Sequence, residues 1–179
     1  MNKRLGVAAL VACSAILACD DDATTGSSNA PLDIVAILAG PDVRPTPVNT
    51  NAAGTATIHV TTGTSDFYDP SDPHAANFTY SITVSGLSGP ATSAHIHGPS
   101  EPDDVEDVLV TLAITSQQTG GLISNGTFIG TENSQVSGDS LVVLLTTGKA
   151  YVDIHTAANP GGEIRGQAFP LNAFTTIAR

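Results

Sequence analysis

Three of the five histidines of this 179-residue chain fall in two short segments. His95 and His97 lie in Ala94-His95-Ile96-His97-Gly98-Pro99. His155 lies in Ala150-Tyr151-Val152-Asp153-Ile154-His155-Thr156, which runs into Asn159-Pro160-Gly161-Gly162-Glu163-Ile164-Arg165-Gly166-Gln167. Both segments read as a strand followed by a tight turn. Side chains alternate along a strand, so His95 and His97 share one face, roughly 7 Å apart at the backbone. Tyr151, Asp153 and His155 share a face of the second strand. If the two strands are neighbours, three imidazoles meet, and a three-histidine set suits copper or zinc. Glu163 then serves as a fourth ligand or as an acceptor that fixes a ring, with Asp153 and Arg165 as further supporting groups.

The same residues admit other accounts. A His-x-His pair is a short motif, and histidines at strand ends commonly bond loop carbonyls or carboxylates, which gives a structural hydrogen-bond cluster. Partner binding or proton transfer is a third role. Arg165 and Glu163 are two apart, so a planar guanidinium has a carboxylate to clamp bidentately, with Asp153 as another partner and an anionic ligand as the alternative. His59 and His74 read as surface residues. The acidic runs Asp66, Asp69, Asp72 and Asp103, Asp104, Glu106, Asp107 offer oxygen ligands for calcium, yet neither has the EF-hand pattern, and solvated loops are the simpler reading. Asn159-Pro160-Gly161-Gly162 is turn chemistry and not a phosphate cradle, which needs a lysine and a following helix. No Gly-x-Ser-x-Gly elbow is present, so no nucleophile stands out.

These strands need a scaffold, and the N-terminus is not part of it. Lys3 and Arg4 precede the apolar run Leu5 to Ala18, which is short for a membrane span of roughly 20 residues and has the pattern of an export signal. The run ends Ile16-Leu17-Ala18-Cys19 before three aspartates, which resembles a bacterial lipobox with Cys19 as the lipidated residue; Cys13 is the other cysteine in such a setting. Residues 1–18 thus read as signal, 19–32 as a flexible tether, 33–171 as one domain and 172–179 as a tail. Loss of the signal leaves four bases (Arg44, Lys149, Arg165 and Arg179) against 17 acids, a charge near −13. Such a surface repels nucleic acid. With Cys19 lipidated and Cys13 removed, the domain stands without disulfides.

The domain reads as all-β. Short runs rich in Thr, Val and Ile alternate with turn residues at Asp33–Ala39, Gly54–Thr62, Asn77–Ser85, Ser93–His97, Val105–Ile114, Gly126–Gly130, Ser140–Thr146, Ala150–His155 and Glu163–Leu171. Phe78, Tyr80, Ile82 and Val84 share one face, opposed by Thr79, Ser81 and Thr83, the mark of an antiparallel sheet with one wet side. Thr147-Gly148-Lys149 reads as a hairpin turn. The expected architecture is a single antiparallel Greek-key β-sandwich or flattened barrel.

The two histidine segments resemble the hallmark motifs of the CHRD domain, first named from chordin. Leu38-Ala39-Gly40, Pro45 to Pro47, Gly54-Thr55-Ala56-Thr57, Phe78 to Ser85 and Gly86-Leu87-Ser88-Gly89 resemble the same domain, so the likeness spans about Asp33 to Pro170. The acidic loops depart from it. The resemblance implies an all-β extracellular module of secreted proteins and lipoproteins, and the chain itself reads as a non-catalytic binding or adhesion-type module with an extracellular protein or small ligand as partner. In plan the chain is also similar to copper/zinc superoxide dismutase. Under that likeness His95 and His97 match the paired copper ligands and His155 a third, while the bridging histidine, the further zinc ligands and the disulfide have no counterpart here. Labelled palmitate is expected to enter the wild-type protein in a bacterial host and to be lost in Cys19→Ala; undiminished labelling of the variant would remove the lipid anchor.

Overall fold

The computed structural model describes residues 32–62, 76–129 and 136–175. The signal, Cys13, Cys19, the tether up to residue 31, Asp66, Asp69, Asp72 and His74 lie outside the described residues. Eight strands are present: β1 (Leu32–Ala39), β2 (Ala53–Thr62), β3 (Ala76–Ser85), β4 (Ala91–His97), β5 (Val108–Leu112), β6 (Gly121–Ile129), β7 (Tyr151–Thr156) and β8 (Ile164–Pro170). Helix α1 (Gly138–Thr146) lies between β6 and β7, and α2 (Leu171–Thr175) follows β8. Among the described residues no helix is long and apolar enough to cross a membrane.

All eight strands form one antiparallel sheet in the order β5-β4-β7-β8-β1-β2-β3-β6. Its two edges approach each other just beyond β5, where the Thr115 amide donates to the Ile123 carbonyl at 2.8 Å and the Ser124 hydroxyl donates to the Ala113 carbonyl. The sheet is therefore a nearly closed barrel with Greek-key crossovers from β3 to β4 and from β6 to β7. Alternation fills its interior. Phe78, Tyr80, Ile82 and Val84 are buried while Thr79, Ser81 and Thr83 are exposed. Phe78 stacks on its cross-strand partner Phe128 with ring centroids 4.7 Å apart. On the opposite wall Ala94, Ile96, Val152, Ile154 and Ile164 are fully buried. Each large aliphatic chain removed from water contributes about 1.5–3 kcal/mol.

One segment departs from the sequence reading. Residues 140–146 form a helix, not a strand. Ser137 caps it, its hydroxyl accepting from the Ser140 amide, and Asp139 stands in the first turn, where a carboxylate suits the helix dipole. Leu141 and Leu145, four apart, are fully buried and seat the helix on the sheet. β-Branched residues concealed this capping signal. The expected hairpin at Thr147-Gly148-Lys149 is instead the helix C-cap: the Lys149 amide donates to the Leu144 carbonyl, and Gly148 has φ +70°, as in a Schellman ending. Strand β6 also starts earlier than expected, because Gly120-Gly121 masks its entry.

Gly166 on β8 marks the tightest packing between β8 and β1, since a methyl group there would fall on the Ile37 carbonyl oxygen. Backbone cannot yield as a side-chain tip does. Gly166→Ala is expected to destabilise the barrel by about 3 kcal/mol, read as a lower urea midpoint; an unchanged midpoint would show that β8 has room to shift.

Candidate metal centre

Strands β4 and β7 are neighbours, with Ser93 opposite His155, His95 opposite Asp153 and His97 opposite Tyr151. Because directly opposed residues share a face, the apolar partners Ala94, Ile96, Val152 and Ile154 turn inward. His95, His97, Asp153 and His155 are left on the outer wall. The register shifts between Ile96 and His97 against β5, an irregularity of the kind that re-aims a side chain. The ligating atoms of these four residues all lie within 4.8 Å of one another. His95 Nδ1 is 3.4 Å from Asp153 Oδ1; His97 Nε2 and His155 Nε2 are 3.3 and 3.0 Å from Asp153 Oδ2. His95 Nδ1 and His155 Nε2 are 3.1 Å apart.

The outer nitrogens of two rings are fixed by backbone. His97 Nδ1 lies 2.8 Å from the Glu106 carbonyl and His155 Nδ1 lies 2.9 Å from the Pro160 carbonyl. A carbonyl only accepts, so both Nδ1 atoms carry protons and donate them. In the neutral rings the Nε2 lone pairs then point into the cluster. Hydrogen bonding inside the cluster satisfies His95 and His155 mutually. His97 Nε2 and Asp153 Oδ1 remain buried without a hydrogen-bond partner. Burial raises the Asp153 carboxyl, but the imidazoles of His155, His95 and His97 outweigh it and hold the group well below the usual carboxylate range. Contact with Asp153 pushes His155 up, against the opposing effect of burial.

Glu163 and Arg165 do not pair with each other, contrary to the clamp suggested by their spacing. Glu163 is fully buried away from the imidazoles. Its oxygens accept from the Ser88 amide (2.9 Å), the Ser88 hydroxyl (2.6 Å), Thr156 Oγ1 (2.7 Å) and Thr50 Oγ1 (3.1 Å). Arg165 lies opposite Asp153 in the strand register but reaches the 98–107 loop. It donates to the carbonyls of Asp104, Pro102 and Glu101 and to the Ser100 hydroxyl. Its guanidinium lies 3.5 Å from the ring centroid of Tyr151, and that ring stacks on His97 at 4.7 Å. Asp153, expected as a supporting group, has its carboxylate among the imidazole nitrogens. Tyr151, Ser88 and the two anchoring carbonyls were not singled out from sequence. Only Tyr151 left a signal, sharing a strand face with Asp153 and His155.

The remaining charged groups are placed elsewhere. His59 is not a bare surface residue: its Nδ1 meets Asp33 Oδ1 at 2.7 Å across β1 and β2. Asp103 pairs with Arg44 at 2.8 Å and Glu101 with Lys149. The acidic loop is therefore pinned, though its side chains are exposed.

An all-β barrel with a polar histidine cluster on its outer wall is the class that these strands define. The chain belongs to the CHRD domain family, whose model matches residues 34–168. It is 35% identical to chordin of Danio rerio over 136 residues, which cover 73% of this chain and 12% of chordin. The chain thus spans only a small part of that protein's length. No solved structure matches it.

Glu163 supplies a stability test. Burial raises its carboxyl, but the bonds from Ser88, Thr156 and Thr50 outweigh burial and lower it. A lowered native value means that the group's stabilisation is complete above the unfolded value of about 4.3 and is lost as pH falls through the native value. Glu163→Gln is expected to cost about 1–3 kcal/mol at neutral pH and to make the acid-side loss of stability shallower, checked by urea unfolding at neutral and acid pH.

Proposed function

We propose that this chain is an exported, non-catalytic CHRD binding module that holds one zinc ion between His95, His97, His155 and Asp153. One observation carries the metal reading. A purely structural hydrogen-bond cluster has to satisfy its own buried atoms, and this one leaves His97 Nε2 and Asp153 Oδ1 without a hydrogen bond, at 3.3 and 3.4 Å from the nearest opposite groups. In native proteins such buried groups point to a missing water or ion. A cation accepts both lone pairs at once, and the carbonyls of Glu106 and Pro160 are the outer partners that ligating histidines use.

The donor set suits zinc, and the ligand atoms are close enough to share one ion. A tetrahedral ion with bonds of about 2.0–2.1 Å separates its ligand atoms by roughly 3.3–3.4 Å. Four separations here, counted over both Asp153 oxygens, run from 3.0 to 3.4 Å, and the four ligand atoms all lie within 4.8 Å of one another. Three nitrogens and one carboxylate oxygen supply a full set for zinc, and four protein ligands are the pattern of a holding site more than of a hydrolytic one. Copper is the second reading, favoured by the imidazole-rich set and the general order of metal affinities. The partial likeness to the dismutase plan supports it without extending to dismutation. Export rests on the Lys3-to-Ala18 signal and a lipid anchor at Cys19 on the outer face of a bacterial membrane. The partner role rests on kinship with chordin.

Zinc is expected to bind with a stoichiometry of one and to raise the thermal midpoint reversibly with chelator, since a ligand at 100 times its Kd stabilises by about 2.7 kcal/mol. His97→Ala should weaken binding by more than about 100-fold, beyond the 10–100-fold typical of losing an outer partner. Parallel copper titration ranks the two ions. Binding absent from the wild type, or equal in the variant, would overturn the metal reading.

A further inference from the structure

A cavity of about 180 Å³ adjoins the cluster, lined by His97, Asp153 and His155 and by Arg165, Val43 and Val105 among others. Arg44 also borders it. A second cavity, of about 290 Å³, shares the lining residues Val43, Arg44, Gly161 and Gly162 and adds Pro45 and Pro160.

The charges around this space do not balance. Arg165 is 3% exposed, yet every hydrogen bond that it donates goes to a neutral oxygen, the three loop carbonyls and the Ser100 hydroxyl. A buried charge without an ionic partner is costly. A divalent ion held by three neutral imidazoles and one carboxylate keeps one positive charge of its own. Arg165, offset only by the Tyr151 ring and by the carboxylates of Asp153 and Asp42 at longer range, and a cationic metal thus border one small cavity, in a chain whose net charge is −11. Arg44, already paired with Asp103, adds a weaker contribution.

We propose that this cavity binds a small alkyl carboxylate, one oxygen joining the metal as a fifth ligand and the negative charge facing Arg165. This rests on the metal reading given above. Zinc accepts a fifth ligand, and carboxylate oxygen is among its ordinary donors. The apolar walls Val43 and Val105 suit a methyl or methylene group. A volume of about 180 Å³ holds an acid of a few heavy atoms, given about 30 Å³ for each water-sized unit. The adjoining cavity gives a carboxylate carried on a peptide end a way in, so a free acid and a chain-borne one share the same recognition.

Cobalt(II) replaces zinc as a coloured probe in the intact protein. Acetate is expected to shift the visible bands of the cobalt form saturably, while neutral acetamide leaves them unchanged. A short peptide titrated through its terminal carboxylate separates the two sources: if it matches acetate the second cavity is the entrance, and if only acetate acts the ligand is a free acid. Arg165→Gln should weaken acetate binding about tenfold in protein still loaded with cobalt, the cobalt affinity being titrated in parallel because Arg165 also holds the loop that fixes His97. Should that variant lose its fold, Arg44→Gln, at the protein surface, should weaken acetate less but measurably. Cobalt bands that ignore acetate at high millimolar concentration would overturn the carboxylate site and leave the metal site standing. Equal acetate affinity in wild type and both arginine variants would overturn the role of the guanidiniums. Absence of any bound cobalt would overturn the metal reading and this inference with it.

Discussion

The pairing of β4 with β7 is the constraint on which the rest depends. Each strand alternates, and a slip by one residue exchanges its two faces. Ala94, Ile96, Val152 and Ile154 are fully buried, so the apolar effect alone selects the register that turns the three histidines and Asp153 outward. The polar cluster forms on the other side of the same backbone and adds contacts across the pair, His95 and His97 of β4 to Asp153 and His155 of β7.

The cluster is finished from outside the sheet. The loop between β4 and β5 supplies the carbonyl that fixes the proton on His97, and basic side chains hold that loop. Arg165 grips three of its carbonyls, while Arg44 and Lys149 tie down Asp103 and Glu101. Gln167 adds a bond to the Ser100 carbonyl. Three of the few cations in an acidic chain are thus spent on one loop. They act on the imidazole nitrogens only indirectly, by setting where a backbone oxygen sits.

Much of this was legible in sequence because strands write their faces with period 2. The alternation over Phe78 to Val84 and the two-residue spacing of His95 and His97 translate directly into structure. The adjacency of β4 and β7 was not legible, since nothing local to either strand names its neighbour. The helix at residues 138–146 was hidden for a different reason: a Val- and Leu-rich run has the same apolar content in either conformation, and only Ser137 and the Leu141–Leu145 spacing decide. The Glu163–Arg165 pairing failed because spacing gives direction but not reach. Glu163 found hydroxyls nearby at Ser88 and Thr156, and the long arginine side chain reached past Asp153 to the loop.

Placing the cluster on the outer wall has a consequence for how such a module is built. The core and the histidine cluster draw on opposite faces of the same two strands. Exchanging outward side chains on β4 and β7 rewrites what the wall carries while the inward Ala, Val and Ile rows keep the frame unchanged. A single strand pair then offers one permanent surface for self-assembly and one reprogrammable surface for the outside world.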